Sequence, residues 1–295
     1  MIVLIGATGT TGKYVVEELV RKGVDFRCIV RDEDRARQAL GNDVALATGD
    51  IADPATVEAG CAGCDTLFLL SPHNPALGQQ QSDAIDAAKR AGVTRVVKLA
   101  GMMTDPDMRI PAQHGIAERY VQDSGTAWTI VRPNFFMQNL LNTAGAVKGQ
   151  GKMMMPFDPD VPIGMIDARD SAAVCATALT EDGYAEKLLE VTGALVTLND
   201  CAAALSAVLG TDVPFVRAPL EMAQKMAMDN GAPDWAAEHI GNIVKDIEAG
   251  IPARSPKFSA APRARLPGSL TTTPPCFVTD IDLLPIRAQP MGVNR

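Results

Sequence analysis

The sequence is short of several things, and each shortage removes a class of protein. Basic residues are outnumbered, 27 lysines and arginines against 35 aspartates and glutamates, for a net charge of −8. No arginine- or lysine-rich run overrides that balance, so nucleic acid is excluded as a partner. No uninterrupted apolar stretch reaches the length of a bilayer-spanning helix, which argues against a membrane protein. An apolar strand begins at Ile2 and leaves no room for a signal peptide, so the expected location is the cytoplasm. Cysteines are few and scattered, at 28, 61, 64, 175, 201 and 276. Cys61 and Cys64 have Cys-x-x-Cys spacing, but no second pair supplies the other ligands of a zinc site, and the pair precedes a strand instead of opening a helix. Small apolar packing is the expected role, and no metal is expected.

What the chain does have stands at its start. Ile2-Val3-Leu4-Ile5 reads as a buried strand, Gly6-Ala7-Thr8-Gly9-Thr10-Thr11-Gly12 as a glycine-punctuated turn, and Lys13 to Lys22 as an amphipathic helix. Gly23 ends that helix, and a second strand runs to Val30. This strand–turn–helix–strand context is what gives a glycine triplet meaning. Gly6 permits the tight turn, Gly9 lets a pyrophosphate approach the backbone, and Gly12 allows close packing of helix on strand. The helix presents free N–H groups and its positive dipole end to the phosphates.

The end of the second strand selects the dinucleotide. A carboxylate there would bind a ribose hydroxyl, whereas an arginine accommodates a 2′-phosphate. The chain carries Arg31, followed by Arg35 and Arg37, while Asp32, Glu33 and Asp34 read as the cap and first turn of a helix. NADP(H) is therefore expected over NAD(H).

Strands and helices go on alternating through strands at 44–48, 66–70, 95–99 and 127–131. That spacing predicts an α/β protein with a doubly wound parallel sheet, a Rossmann-type fold, with ligands beyond the carboxyl ends of the strands. Residues 1–150 are expected to form the dinucleotide domain, with 165–195 packing back on it, and 151–250 a mostly helical substrate cap, its lid at Lys152 to Pro162. From 251 to 295 prolines recur and hydrophobic periodicity ends, as in a linker or disordered segment, with Asp280–Leu284 the one piece suited to docking.

The motifs taken together, Gly-Ala-Thr-Gly-x-x-Gly, Val30-Arg31, Gly49-Asp50-x-x-Asp53-Pro54 and Ser124-Gly125-x-x-Trp128-Thr129-x-x-Arg132-Pro133-Asn134-Phe135-Phe136-Met137-Gln138-Asn139, resemble the NmrA-like atypical short-chain reductases over about residues 1–250. That group includes bacterial NADPH:quinone oxidoreductases, triphenylmethane reductase, ergot-alkaloid reductases and, more distantly, isoflavone reductases. The resemblance implies that Gly6, Thr8, Gly9, Thr10, Thr11 and Gly12 cradle the pyrophosphate and that Arg31, with Arg35, takes the 2′-phosphate. Asp50 and Ile51 would flank adenine, Leu70, Ser71, Ala100 and Gly101 would pass along the nicotinamide ribose, and Asn134, Phe135 and Phe136 would wall the nicotinamide pocket.

One departure matters. Short-chain reductases usually protonate their substrate with a tyrosine tuned by a lysine one helical turn on, and none of the three tyrosines here (14, 120, 184) has that partner. His114 falls where isoflavone-reductase-like relatives carry an active-site lysine, and it is the candidate proton donor. A surface or capping role is its alternative. His73 is a second candidate for the pocket, with His239 on the cap the weakest, and Lys98, within a strand, could reach the ribose. Met102, Met103 and Met154, with Phe136, are expected to line an adaptable apolar pocket suited to flat conjugated acceptors.

The expected function is NADPH-dependent hydride transfer to a small apolar acceptor such as a quinone, enone, imine or dye, by a monomer or homodimer. The alternative, supported by the missing tyrosine–lysine pair, is a non-catalytic NADP(H) sensor like the NmrA regulators.

Overall fold

The computed structural model describes residues 1–101 and 107–250. The expectations for the 251–295 tail, and for Met102 and Met103, lie outside the described residues.

The main sheet is built from β1 (Ile2–Ile5), β2 (Phe26–Val30), β3 (Ala45–Thr48), β4 (Thr66–Leu69), β5 (Arg95–Leu99), β6 (Ala127–Pro133) and β10 (Lys187–Val191). Their order across the sheet is β10-β6-β5-β4-β1-β2-β3, all parallel, with the reversal of winding between β1 and β4. Ile2, Val3, Leu4 and Ile5 pair with Phe26 to Ile29 on one side and Thr66 to Leu69 on the other. Buried on both faces, β1 and β4 read as continuous apolar runs without alternation. This is the doubly wound sheet that the sequence spacing predicts.

The covering helices are α1 (Thr10–Lys22), α2 (Glu33–Leu40), α3 (Pro54–Cys61), α4 (Leu77–Arg90), α5 (Arg109–Asp123) and α7 (Ala168–Thr180), with α6 (Ala144–Gln150) leading away from the sheet. Two packed layers result. Val15, Val16 and Leu19 of α1 meet Ala172, Cys175, Ala176 and Leu179 of α7 over one face, and Val57, Ile85, Ala88 and Val121 cover the other. Local signals set the boundaries. Asp32 caps α2 by accepting from the Arg35 N–H at 3.0 Å, so the acidic cluster after Arg31 is indeed a helix start. Asp53 and Pro54 open α3 in the same manner.

Beyond α6 the chain differs from the sequence expectation. Met153–Met155 is not a lid strap but a strand, β8, paired in parallel with β12 (Phe215–Arg217). Met153 and Met155 are buried in a third core with Phe157, Leu198 and Ile247. Three more short strands escape the sequence reading: β7 (Phe135–Phe136), β9 (Ile163–Ile166) and β11 (Leu195–Val196), which pair in the order β11-β9-β7. Helices α8 (Leu198–Leu209), α9 (Leu220–Asp229) and α10 (Asp234–Glu248) complete this part of the molecule. Between them β10 returns to the main sheet beside β6, and its half-exposed edge position explains why Lys187-Leu188-Leu189-Glu190-Val191 lacks the apolar continuity of the inner strands.

Candidate functional site

The glycine turn leaves β1 at Gly6, whose φ is +85°. A Cβ there would stand 2.3 Å from the Leu70 carbonyl oxygen, and one on Gly12 would stand 2.0 Å from the Gly6 carbonyl oxygen. Neither position tolerates a side chain, because the contacted atoms are backbone. At Gly9 the nearest atom to such a Cβ is 3.4 Å away, so the missing side chain there leaves open space in front of α1. Gly9 is the N-cap and supplies no side-chain acceptor to the helix. Its carbonyl takes the Lys13 N–H, so the N–H groups of Thr10, Thr11 and Gly12 point forward without a helical acceptor. Thr8, Gly9 and Thr10 are exposed and Thr11 and Gly12 are buried, which makes an open rim on a fixed floor. An anionic diphosphate fits this cradle in charge and in space.

The end of β2 carries the next groups. Arg31 and Arg35 are exposed and, among the described residues, make no ion pair within 4.0 Å, whereas Arg37 is paired with Glu33 at 3.8 Å. Asp50 accepts from the Ala52 N–H at 2.9 Å, and Ile51 packs half-buried on the second core, so these two form a fixed edge beyond β3.

Past β4 and β5 the site becomes polar below the surface. The Leu70 N–H donates to the Ile5 carbonyl, and the Ala100 N–H donates to Val131 at 2.8 Å with Gly101 following. Ser71 is buried, and its Oγ accepts from Gln81 Nε2 at 2.8 Å; Gln81 Oε1 in turn accepts from Lys98 Nζ at 2.7 Å. Lys98 has no exposed surface, and among the described residues no carboxylate lies within 4.0 Å of its ammonium. Burial lowers its pKa to about 8, opposed by Glu118 and reinforced by Arg132. Glu118 itself is held by Arg132, whose Nε lies 3.1 and 3.2 Å from its two oxygens, and Glu190 stands 3.9 Å from the same guanidinium.

Above this seam the chain's three histidines meet. His73 comes from the β4–α4 loop, His114 from α5 and His239 from α10. The His73 ring makes edge contacts with both others, at centroid separations of 5.1 Å to His114 and 5.3 Å to His239. His114 is only 5% exposed, and neither of its ring nitrogens has a partner; His239 Nδ1 is likewise buried and unpartnered. Burial first, then Lys98, His73, His239 and Arg132, hold His114 well below the ordinary value of 6.5. Burial and His73 take His239 down to about 4. His73 is lowered too, by burial of its ring between the others and by Lys98. Among the described residues no group of His, Cys, Asp and Glu has metal-holding geometry, this trio included.

Asn134 is buried and fixed: its N–H donates to Val191, its Oδ1 accepts the Phe135 N–H at 2.8 Å, and its Nδ2 donates to Thr192 at 3.2 Å. Phe135 stands edge-on to Phe157 at 5.8 Å, and Phe136, half-buried, pairs with Ile166. Met154 is half-exposed between the buried Met153 and Met155. The five described cysteines are all buried and free, and burial pushes the Cys61 thiol up to about 12, which fits inert packing. One feature escapes a reading by motif. The closeness of His239 depends on how α10 docks, but Lys98 in an apolar strand and the orphaned scarcity of histidine were visible signals.

An imidazole kept neutral in the folded chain is protonated only after unfolding. Stability is therefore complete above pH 6.5 and falls as the pH drops below it. The buried His114 is expected to lower the stability as the pH falls from 7 to 5. Urea unfolding at the two pH values checks this, since His114→Gln should lack that part of the difference.

Comparison with known proteins agrees with this geometry. Residues 1–249 match the NmrA-like family. An NAD(P)H azoreductase of Xenophilus azovorans is 36% identical over 269 residues, covering 89% of this chain and 94% of that protein. A (4-alkanoyl-5-oxo-2,5-dihydrofuran-3-yl)methyl phosphate reductase of Streptomyces griseus is 32% identical, covering 80% and 83%. Among solved structures, the NADPH-dependent quinone oxidoreductase of Escherichia coli, crystallised with NADPH, superposes with a TM-score of 0.74 at 27% identity, covering 85% of this chain and 90% of that one. A phosphate-ready glycine turn, a Rossmann-type sheet and these likenesses along nearly the whole described chain place the protein in the NmrA-like family.

Proposed function

We propose that the protein is an NAD(P)H-dependent reductase that passes hydride to a small conjugated acceptor such as a quinone, enone, imine or azo dye. One observation carries the reading: the forward-pointing N–H groups of α1 and the orphaned imidazole of His114 lie at the carboxyl side of one parallel sheet. The activities borne by the azoreductase, the furan phosphate reductase and the quinone oxidoreductase support it. A bound nicotinamide supplies the hydride.

The chain's own groups do the rest. Gly6, Gly9, Thr10, Thr11 and Gly12 hold the diphosphate, Thr8 rims it, and Arg31 with Arg35 takes the 2′-phosphate, which favours NADP(H) over NAD(H). Asp50 and Ile51 bound the adenine, while Leu70, Ser71, Ala100 and Gly101 guide the ribose. Asn134 and Phe135 fix the nicotinamide face, and Phe136, Met154 and His73 line the acceptor pocket. His114 donates a hydrogen bond from its neutral ring to the carbonyl oxygen or azo nitrogen that gains charge as hydride arrives, and solvent supplies the proton that completes the reduction. Residues 1–150 with 165–195 serve as the dinucleotide domain and 151–250 as the substrate cap. The acceptor is a small molecule, met in the cytoplasm, and neither nucleic acid nor membrane is a partner.

NADPH oxidation against a panel of quinones, enones, azo dyes and triphenylmethane dyes tests the reading. Acceptor-dependent oxidation is expected, and tight binding with none across the panel would favour the sensor. Arg31→Ala should weaken NADPH about tenfold or more and NADH hardly at all. Equal losses in a direct titration would remove that role. His114→Ala should cut turnover about a hundredfold or more while leaving NADPH affinity nearly intact, and unchanged turnover would make it a bystander.

A further inference from the structure

His114 is buried with both nitrogens unpaired, although a buried polar atom without a partner is costly and uncommon. His239 Nδ1 repeats the anomaly on α10, a different part of the fold. Both rings touch His73, which is open to solvent on one side. Two helices thus bring unspent hydrogen-bonding capacity to one place beside His73, and a ligand is what would use it.

The charges nearby say which ligand. From β5 comes the buried ammonium of Lys98, with an amide and no carboxylate against it. From β6 comes Arg132, and from α5 Glu118, one turn past His114 but already taken up by Arg132 together with Glu190 of β10. The first turn of α5 adds Arg109, which pairs with Glu238 of α10 at 3.7 Å, both of them exposed. Asp246 lies two turns along α10 from His239, about 10 Å by helical rise, and has an interaction of its own. Every charged neighbour that acts on His114 is therefore cationic. A buried, unpaired cation beneath neutral imidazoles is a field waiting for negative charge.

We infer that the His73–His239 edge of the cluster binds an anionic substituent, a sulfonate, carboxylate or phosphate group, on the conjugated acceptor while His114 faces the reacting group, and that the cluster takes up a proton from solvent as it does so. The inference rests on the proposed reductase reading for the acceptor's conjugated part, but the cluster's own chemistry does not depend on turnover. An oxyanion beside an imidazole favours the charged ring, and a charge-assisted N–H to oxygen bond then satisfies the orphaned His239 nitrogen. The proton goes from water onto a ring nitrogen, by way of the solvent-open His73. Lys98, whose pKa burial lowers to about 8, supplies positive charge from below at pH 7. His239 makes the cap a selector of acceptors, because α10 must be docked for the third ring to be in place.

The test is isothermal titration of the NADP+-bound protein, which cannot turn over, with naphthalene-2-sulfonate and its uncharged isostere naphthalene-2-sulfonamide. Titrations at pH 7 in two buffers of different ionisation enthalpy count the protons exchanged. The sulfonate should bind about tenfold or more tighter than the sulfonamide, with net proton uptake, and its affinity should weaken as the pH rises from 6 to 8. His239→Gln and His73→Gln, each checked for a native fold by circular dichroism, should each reduce both the preference and the uptake. Equal affinity for the two probes, binding of neither, sulfonate binding without proton uptake, or a preference untouched in both variants would overturn the inference. Should NADP+ itself fail to bind, the dinucleotide reading falls, while the same titration on the free chain still decides the cluster.

Discussion

Two backbone carbonyl oxygens fix where this protein can do chemistry. The Leu70 oxygen stands where a side chain on Gly6 would be, and the Gly6 oxygen where a side chain on Gly12 would be. The contacts bring the first turn of α1 hard against the end of β1 and beside the loop that leaves β4, at the place where the winding of the sheet reverses. Loss of either contact by a methyl group would push helix and strands apart and move the free N–H groups of α1 off the crevice. The same close approach sets the start of the loop that carries Ser71 and His73, so the glycine turn and the histidine cluster share one foundation.

Behind the crevice runs a polar seam through an otherwise apolar layer. Ser71, Gln81 and Lys98 join the β4–α4 loop, α4 and β5 by two hydrogen bonds, and Arg132 with Glu118 and Glu190 joins β6, α5 and β10. Burial of charge is costly, and hydrophobic replacements of equal volume are often neutral or better, so such a seam is poor evidence for stability. Its effect on the site is clearer. It holds the loop, the strand and α5 in fixed relation, and it leaves the Lys98 ammonium acting on His73 and His114, whose pKa values burial also lowers.

The legible part of the fold was the part written in short-range signals. Gly-x-x-Gly-x-x-Gly between an apolar run and an amphipathic helix, and Asp-Pro or Asp-Glu-Asp at helix starts, act within a few residues of themselves. The inner strands were legible because both their faces are covered. β10 was missed because it sits at the sheet edge with Lys187 and Leu188 exposed and has no apolar run to show. The methionine run at 153–155 was read as a lid because sequence cannot tell a buried strand of a small core from a loose apolar strap. Two-residue strands such as β7 and β11 have no periodicity to read at all.

The sequence by itself determined the family, the parallel sheet, the glycine turn after β1 and the arginine that follows β2. Each depends on residues adjacent in the chain and on backbone geometry that glycine alone permits. Only the tertiary structure decided that His73, His114 and His239 meet and that, among the described residues, no carboxylate lies within 4.0 Å of the Lys98 ammonium near them. His73 and His114 lie 41 residues apart and His114 and His239 lie 125 apart, and the docking of α10 against α5 that closes the larger gap comes from the packing of whole helices, which no local pattern encodes.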